Sequence, residues 1–435
     1  MNVNAPKKSA VSEIRSRILF VLFAIFVFRM GAHIPLPGVD LVKLGQFFTE
    51  NKGGFLSFLN MFSGGALSRM SVFSLGIGPY ISASIAINLL SYVLPTLEEL
   101  RKQGGQGRHK LTKYTRVLAL IVALIQSVPV ARQLLSNGFV LNPSALFFVT
   151  TSISLATGTM FMLWLGEQIT ERGIGNGISV LIFAGITSRF PDVFSNLFDM
   201  FSRGQLQILS LIVILAAIFM ITAFVVLMEK GQRQIKVTHP SRSPSGSSAN
   251  VLPLKINMAG VMPPIFANIM VFTPLGIAGF FTTPAESNLL NIATRLLQPG
   301  QLLYSIVVVA AISFFSFVFT SMTFNPDEFS ENLKKGGAMI PGIRPGKATS
   351  RYIDEVMSRL ALFGILYLSF VVLLPELFVS TLKIPFYFGG TSLLIVVVVV
   401  MDFMSQLNAH LIPDKYHEMV SKGKGSKKQS LQLFR

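Results

Sequence analysis

The chain has 435 residues, 51% hydrophobic and only 13% charged, with a net charge of +17 and no cysteine. A mean hydropathy of +0.60 excludes a water-soluble globule of this size, and the lack of cysteine excludes disulfides, thiolate metal sites and cysteine nucleophiles. Because the basic residues lie in short connectors rather than on one soluble domain, the charge predicts anionic lipid headgroups and a docking partner on one side, with no direct nucleic-acid specificity.

The polar opening MNVNAPKKSAVSEIRSR carries Lys7, Lys8, Arg15 and Arg17 and runs into an apolar stretch with no small-residue cleavage site nearby. It predicts a cytoplasmic lead-in to a retained helix. Crossing the hydrocarbon takes about 20 apolar residues, and in an open chain only helices satisfy their own backbone there. Ten segments fit. In chain order they are 18–34, which contains Arg29; 75–94; 117–131, which is short; 145–165; a stretch from Ile178 that meets Arg189 early; 206–228; 256–281; 302–324; 360–379; and 391–411. The segments 206–228 and 302–324 hold no charge at all.

If both ends are cytoplasmic, the inside segments hold 28 Lys and Arg and the outside loops seven, with Arg29 and Arg69 left within apolar segments. Lys and Arg are enriched in cytoplasmic loops, so the bias supports this orientation and an even number of spans. An eleventh apolar piece, 55–73, is interrupted by Ser63, Gly64, Gly65 and Arg69. Counted as a span it would place two basic ends on opposite sides, so it reads as a re-entrant segment entering from outside. An amphipathic surface helix in an outer loop fits these residues equally well.

The second span opens Gly76-Ile77-Gly78-Pro79-Tyr80-Ile81 and the seventh Gly260-Val261-Met262-Pro263-Pro264-Ile265; the fifth opens Gly177-Ile178 and the tenth Gly390-Thr391. Each pair holds the same place in a five-helix half. Five is odd, so a duplicated half lies upside down relative to the first, an inverted repeat whose site sits where the halves meet. Gly and Pro at these helix starts predict irregular or closely approached backbone, which lipid tolerates only where protein or a cavity covers it. The second, fifth, seventh and tenth helices are therefore placed around a central path. Ile81, Ile182, Ile265 and Ile395, joined one turn earlier by Ile77 and Ile178, become candidates to face one another; any single Ile fits a lipid-facing position too.

No chemistry of catalysis is legible. Arg29, Glu167, Glu376 and Asp402 fall near span ends, where snorkelling reduces their cost, and no span centre holds a proton relay. The stretch GIRPGKAT at 342–349 has Ala348 where a phosphate loop needs Ser or Thr, and Pro341 in place of its leading Gly. The five histidines, His33, His109, His239, His410 and His417, are scattered. No catalytic residue, cofactor or metal site is predicted. Three inside segments stand out, 98–115, 229–255 and 325–359; the last is long for a connector and patterned, which favours docking.

The stretches MFSGGALSRMSVFSLGIGPYISASI, GEQITERGIGNGIS, NMAGVMPPIF, PGIRPGKAT and PFYFGGTSLLIVVVVVMDFM closely resemble the bacterial SecY family, central subunits of the SecYEG translocon. The resemblance runs from the first span to the last; the Lys-rich tail from 413 and the Ser-rich 241–250 lie outside it. It implies an all-α polytopic membrane protein of the inner membrane: ten transmembrane helices in two inverted five-helix halves, 1–200 and 201–435, around a central pore. A lateral gate would open between helices 2 and 7 and their neighbours 3 and 8. The pore ring maps to Ile77, Ile81, Ile178, Ile182, Ile265 and Ile395, and a short re-entrant plug helix (about 60–74) to Phe62, Ser63, Gly64, Gly65, Ala66, Leu67, Ser68 and Arg69. Arg344 sits where the family couples to the motor ATPase SecA. Lys334, Lys335 and Lys347 of the same 8/9 loop, with Lys230 and Arg233 of the 6/7 loop, would serve motor and ribosome docking.

The function so implied is the passage of unfolded secretory polypeptides and lateral release of apolar segments. The partners are SecE, SecG, SecA, the ribosome, signal sequences with their nascent chains, and anionic lipids. A small-solute secondary transporter shares inverted repeats and broken helices; it needs a polar pocket at the midplane, for which Ser82, Ser84 and Asn88 are the modest candidates.

Overall fold

All ten predicted spans fall on helices of the structure, a computed structural model that describes residues 10–50, 60, 63–142, 144–204, 207–238, 250–281, 301–382, 390–409 and 411. In order the helices are α1 (Ala10–Gly31), α2 (Leu41–Glu50), α3 (Gly78–Val93), α4 (Pro95–Lys102), α5 (Gly105–Ser136), α6 (Ala145–Arg172), α7 (Gly177–Thr187), α8 (Phe190–Ser202) and α9 (Ile208–Lys230). After the strands β1 (Gln232–Val237) and β2 (Asn250–Lys255) come α10 (Met262–Phe281), α11 (Leu302–Thr323), α12 (Pro326–Lys335), α13 (Lys347–Leu382) and α14 (Gly390–Ala409). Among the described residues, seven helical stretches are long and apolar enough to cross a membrane, or eight if α3 and α4, bent by 98° at their junction, form one span.

Several helices outrun their apolar stretches. α5 begins at Gly105 rather than at 117, and α13 at Lys347 rather than at 360. Hydropathy reports the length buried in lipid, whereas the basic residues before it continue the same helix into water. Capping decides several starts: Ser144 accepts the Phe147 amide at α6, Asn176 those of Ile178 and Ser179 at α7, and Asn325 those of Asp327 and Glu328 at α12. α12 also has Pro326 in its first turn, Asp327 and Glu328 at its positive end and Lys334 and Lys335 at its negative end.

By packing, the described chain divides into two units, one of residues up to 190 with those from 399 onward, the other of 191–398. In the first, α3 packs on α5, α5 on α6 and α6 on α7, with α1 against α6 and α7. In the second, α10 packs on α11, α11 and α12 on α13, and α9 on α13.

The second unit also holds an element absent from the sequence reading. β1 and β2 pair antiparallel, Gln232 opposite Lys255 through Val237 opposite Asn250. Beyond the hairpin, Thr238 and Met339 exchange both backbone hydrogen bonds, 2.8 and 2.9 Å. Ile235 and Leu254 of the hairpin, Ile340 of the 8/9 loop and Ile353 and Met357 of α13 close a single apolar core. The described parts of the 6/7 and 8/9 connectors are thus one folded module.

Candidate functional site

Two kinds of helix start carry the candidate ring residues. Gly76 and Gly260, which precede α3 and α10, have φ of 57° and 65°, a left-handed backbone that glycine adopts without penalty. Gly177 and Gly390, which open α7 and α14, are instead approached by backbone: a Cβ on either would stand 1.9 Å from a carbonyl oxygen, that of Gly166 and that of Val371 respectively. The second and seventh predicted spans therefore share one device and the fifth and tenth another.

In the first unit, the Ile81 amide donates to the Ile77 carbonyl (3.0 Å), placing the pair one turn apart at the start of α3. Ile178 and Ile182 repeat that spacing on α7. Ile77, Ile81 and Ile182 are buried; Ile178 is half-buried with its Cγ1 close to Gly166. In the second unit, Ile265 lies in the first turn of α10 and Ile395 near the start of α14, both buried. Phe266 beside Ile265 packs on Phe315 and Phe319 of α11, with centroids 5.8 and 4.8 Å apart.

Of the predicted plug helix, Asn60 is helical, whereas 63–70 and 72–77 form a succession of turns with Ser71 bridged to Pro35 between them. Left-handed φ values at Gly64, Gly65, Met70 and Gly76 break any helical repeat. Side chains close the turns instead. The Ser68 amide donates to Asn60 Oδ1 (2.9 Å), the Leu67 amide to Ser63 Oγ (3.2 Å), and Ser74 Oγ to the Ala66 carbonyl (3.1 Å). Arg29 donates to the Gly64 carbonyl (3.1 Å), and Gly64 lies against Gly185 of α7. Arg69 contacts His33. Ser63, Ala66 and Leu67 are buried. Phe73 stacks between Phe28 of α1 and Phe161 of α6. Phe62 lies outside the described residues.

All six docking candidates are exposed: Arg233 lies on β1, Lys334 and Lys335 end α12, Arg344 lies in the 8/9 loop, and Lys230 and Lys347 are the last residue of α9 and the first of α13. The Arg344 carbonyl accepts from Thr349 Oγ1 (2.9 Å), Ser330 Oγ donates to the Gly346 carbonyl (2.7 Å), and Ser350 donates to Asp327. A tied-down backbone presents an exposed guanidinium. Lys335 pairs with Glu331 (3.1 Å) on its own helix.

The polar residues weighed for a solute pocket do not converge: Asn88 is exposed and bonds weakly to Ser84 on the same helix (3.5 Å). Among the described residues, no three His, Asp or Glu are placed to hold a metal ion. The sequence reading missed a buried carboxylate. Glu229 at the end of α9 accepts hydrogen bonds from Asn257 (2.7 Å) and Tyr367 (3.4 Å), partners too far along the chain for any local pattern to reveal.

A sequence model of the SecY family matches residues 71–404. The chain is 47% identical over 423 residues to the protein translocase subunit SecY of Escherichia coli (strain K12), covering 95% of this chain and 96% of that one. Among solved structures it resembles a protein-conducting channel (TM-score 0.69, 17% identity, 95% of this chain and 96% of that one). It also resembles Sec61 in a canine ribosome-channel complex from the endoplasmic reticulum (TM-score 0.64, 17% identity, 95% and 96%).

Proposed function

The chain belongs to the SecY family, and on that premise we propose how its residues conduct protein. It is a multi-pass membrane subunit of a protein translocase that passes unfolded secretory polypeptides across the membrane and releases apolar segments sideways into it. The observation that carries the proposed mechanism is the pairing of helix starts: left-handed glycines before α3 and α10, and backbone-tight glycines at α7 and α14. This supports two inverted halves, 1–200 and 201–435, each contributing two such helices to one waist.

At that waist Ile77, Ile81, Ile178, Ile182, Ile265 and Ile395 form an apolar ring. A narrow apolar constriction holds water poorly and blocks ions by dewetting, yet offers no fixed hydrogen-bond partner to trap a passing peptide. The segment 60–74 is the plug on the outer side of the ring, held at rest by Arg29 at Gly64 and by the Phe28–Phe73–Phe161 stack.

Sorting follows from partition. Each Leu, Ile, Phe or Val at the centre of a spanning segment gains about 0.3–0.6 kcal/mol on entering lipid, while a central Asp, Lys or Arg costs about 2.5–3.5 kcal/mol. A sum over about 20 residues separates apolar segments, which leave through the gate between α3 with α5 and α10 with α11, from polar chain that continues outward. That onward movement needs work. The subunit has no catalysis of its own, so the work comes from SecA, coupled through Arg344, or from a translating ribosome seated on the same module with Lys230, Arg233, Lys334, Lys335 and Lys347. SecE and SecG complete the assembly in the bacterial inner membrane, with both termini cytoplasmic and anionic lipids against the basic side. Cross-linking of a stalled secretory chain to cysteines at positions 81 and 265 tests the path; chains that never touch either position would refute it.

A further inference from the structure

A carboxylate is buried at the end of α9 where the channel reading gives it no role. Glu229 is 6% exposed. Its Oε1 accepts from Asn257 Nδ2 at 2.7 Å and from the Tyr367 hydroxyl at 3.4 Å. Asn257 is 4% exposed and works in both directions: Nδ2 also donates to the Gly260 carbonyl (3.1 Å), and Oδ1 accepts the Gly260 amide (3.1 Å). Tyr367, on α13 and equally buried, packs its ring against Phe224 of α9 at 5.9 Å. One carboxylate therefore joins the end of α9, the tight loop 257–260 and the middle of α13, and α10 begins two residues beyond that loop.

Burying a carboxylate is costly unless donors compensate it, and an apolar residue of similar volume often serves stability as well or better. What the polar arrangement adds is direction. Asn257 satisfies both backbone groups of Gly260, whose left-handed φ of 65° sets the turn into α10, and it can do so only with its amide held in one orientation. Glu229 holds it, accepting from the Nδ2 edge and leaving Oδ1 turned to the Gly260 amide.

We infer that Glu229 is a positioning residue which, through Asn257 and Tyr367, fixes where α10 starts and hence where Ile265 stands. The consequence for the gate rests on the reading of α10 as a gate helix carrying a ring residue; the positioning itself does not.

The test uses the full chain, assembled with its partner subunits in vesicles, and reads two quantities: hydrogen exchange of the amides at 258–266, and ion conductance of the resting channel. Asn257→Asp sets two carboxylates against each other, and loss of a buried, charge-assisted bond speeds local exchange on the order of tenfold or more; conductance rises with it. Combining it with Glu229→Gln restores a donor–acceptor pair in the opposite sense, keeps an acceptor for the Gly260 amide, and returns both readings toward the parent. Tyr367→Phe, which removes only a hydroxyl, gives a smaller acceleration at the same amides and carries the test if the charged variant fails to accumulate. Parent-like exchange in Asn257→Asp, or in Tyr367→Phe where that variant carries the test, overturns the inference, as does a double variant that exchanges as fast as the single one. Exchange that accelerates and is rescued without any change in conductance upholds the positioning role and counts against α10 as the closing element.

Discussion

Gly177 and Gly166 meet backbone to backbone: a Cβ on Gly177 would stand 1.9 Å from the Gly166 carbonyl oxygen. The contact seats α7 against α6 and so sets where Ile178 and Ile182 stand. Gly177→Ala must push the helices apart, and overpacking of this kind costs about 1–3 kcal/mol. A lower thermal unfolding midpoint in detergent is expected. Gly78→Ala, at a helix start with open space around the missing Cβ, leaves the midpoint unchanged.

Replacing several of Ile77, Ile81, Ile178, Ile182, Ile265 and Ile395 by Ser wets the constriction, because hydroxyls offer water the partners that Ile withholds. Planar-bilayer recordings of the resting channel then show an ion leak. A conductance equal to that of the parent would remove the ring from the account.

Arg344→Glu reverses an exposed charge on a backbone pinned by Thr349 and Ser330. ATP-driven translocation into vesicles is lost while the protein still inserts and folds; near-normal translocation would show that Arg344 does not couple to the motor.

Ile353 is wholly buried in the core shared by the hairpin, the 8/9 loop and α13. Ile353→Ala leaves a cavity worth about 2–5 kcal/mol and loosens both connectors together. Limited proteolysis is expected to cut 232–255 and 325–346 in parallel. Cleavage confined to one of them would mean the connectors fold independently.

Charge reversal on the 8/9 loop separates docking from folding. Lys334→Glu with Lys335→Glu alters charge on the exposed end of α12, where surface pairs such as Lys335 with Glu331 contribute under about 1 kcal/mol. Thermal stability therefore holds, while ribosome co-sedimentation falls and depends less on salt. Unchanged binding would take these lysines out of the docking surface.

The lipid-facing part of the fold was legible because burial in hydrocarbon leaves a long unbroken apolar run, as in α9 and α11. The echoes of Gly76 with Gly260 and of Gly177 with Gly390 were legible as well, since left-handed or backbone-tight positions admit few residues but glycine. The hairpin left its trace in the alternation of Ile235 and Val237, too short to stand out beside charges that read as an ordinary positive-inside loop. The interruption of 55–73 at Ser63, Gly64 and Gly65 was legible, but the plug helix implied by the resemblance did not foretell the turns of this stretch, and only the backbone reveals the positive φ at Met70. Tyr367 lies more than a hundred residues from Glu229 and bonds through packing that no local periodicity encodes.

The pair of backbone hydrogen bonds between Thr238 and Met339 gives the two connectors a mechanical character. A ligand that grips either connector takes hold of a single handle, and the handle is continuous with α13, a helix running from Lys347 to Leu382. On the proposed docking, a push at Arg344 does not dissipate in a slack loop but passes through a pinned backbone into that long helix.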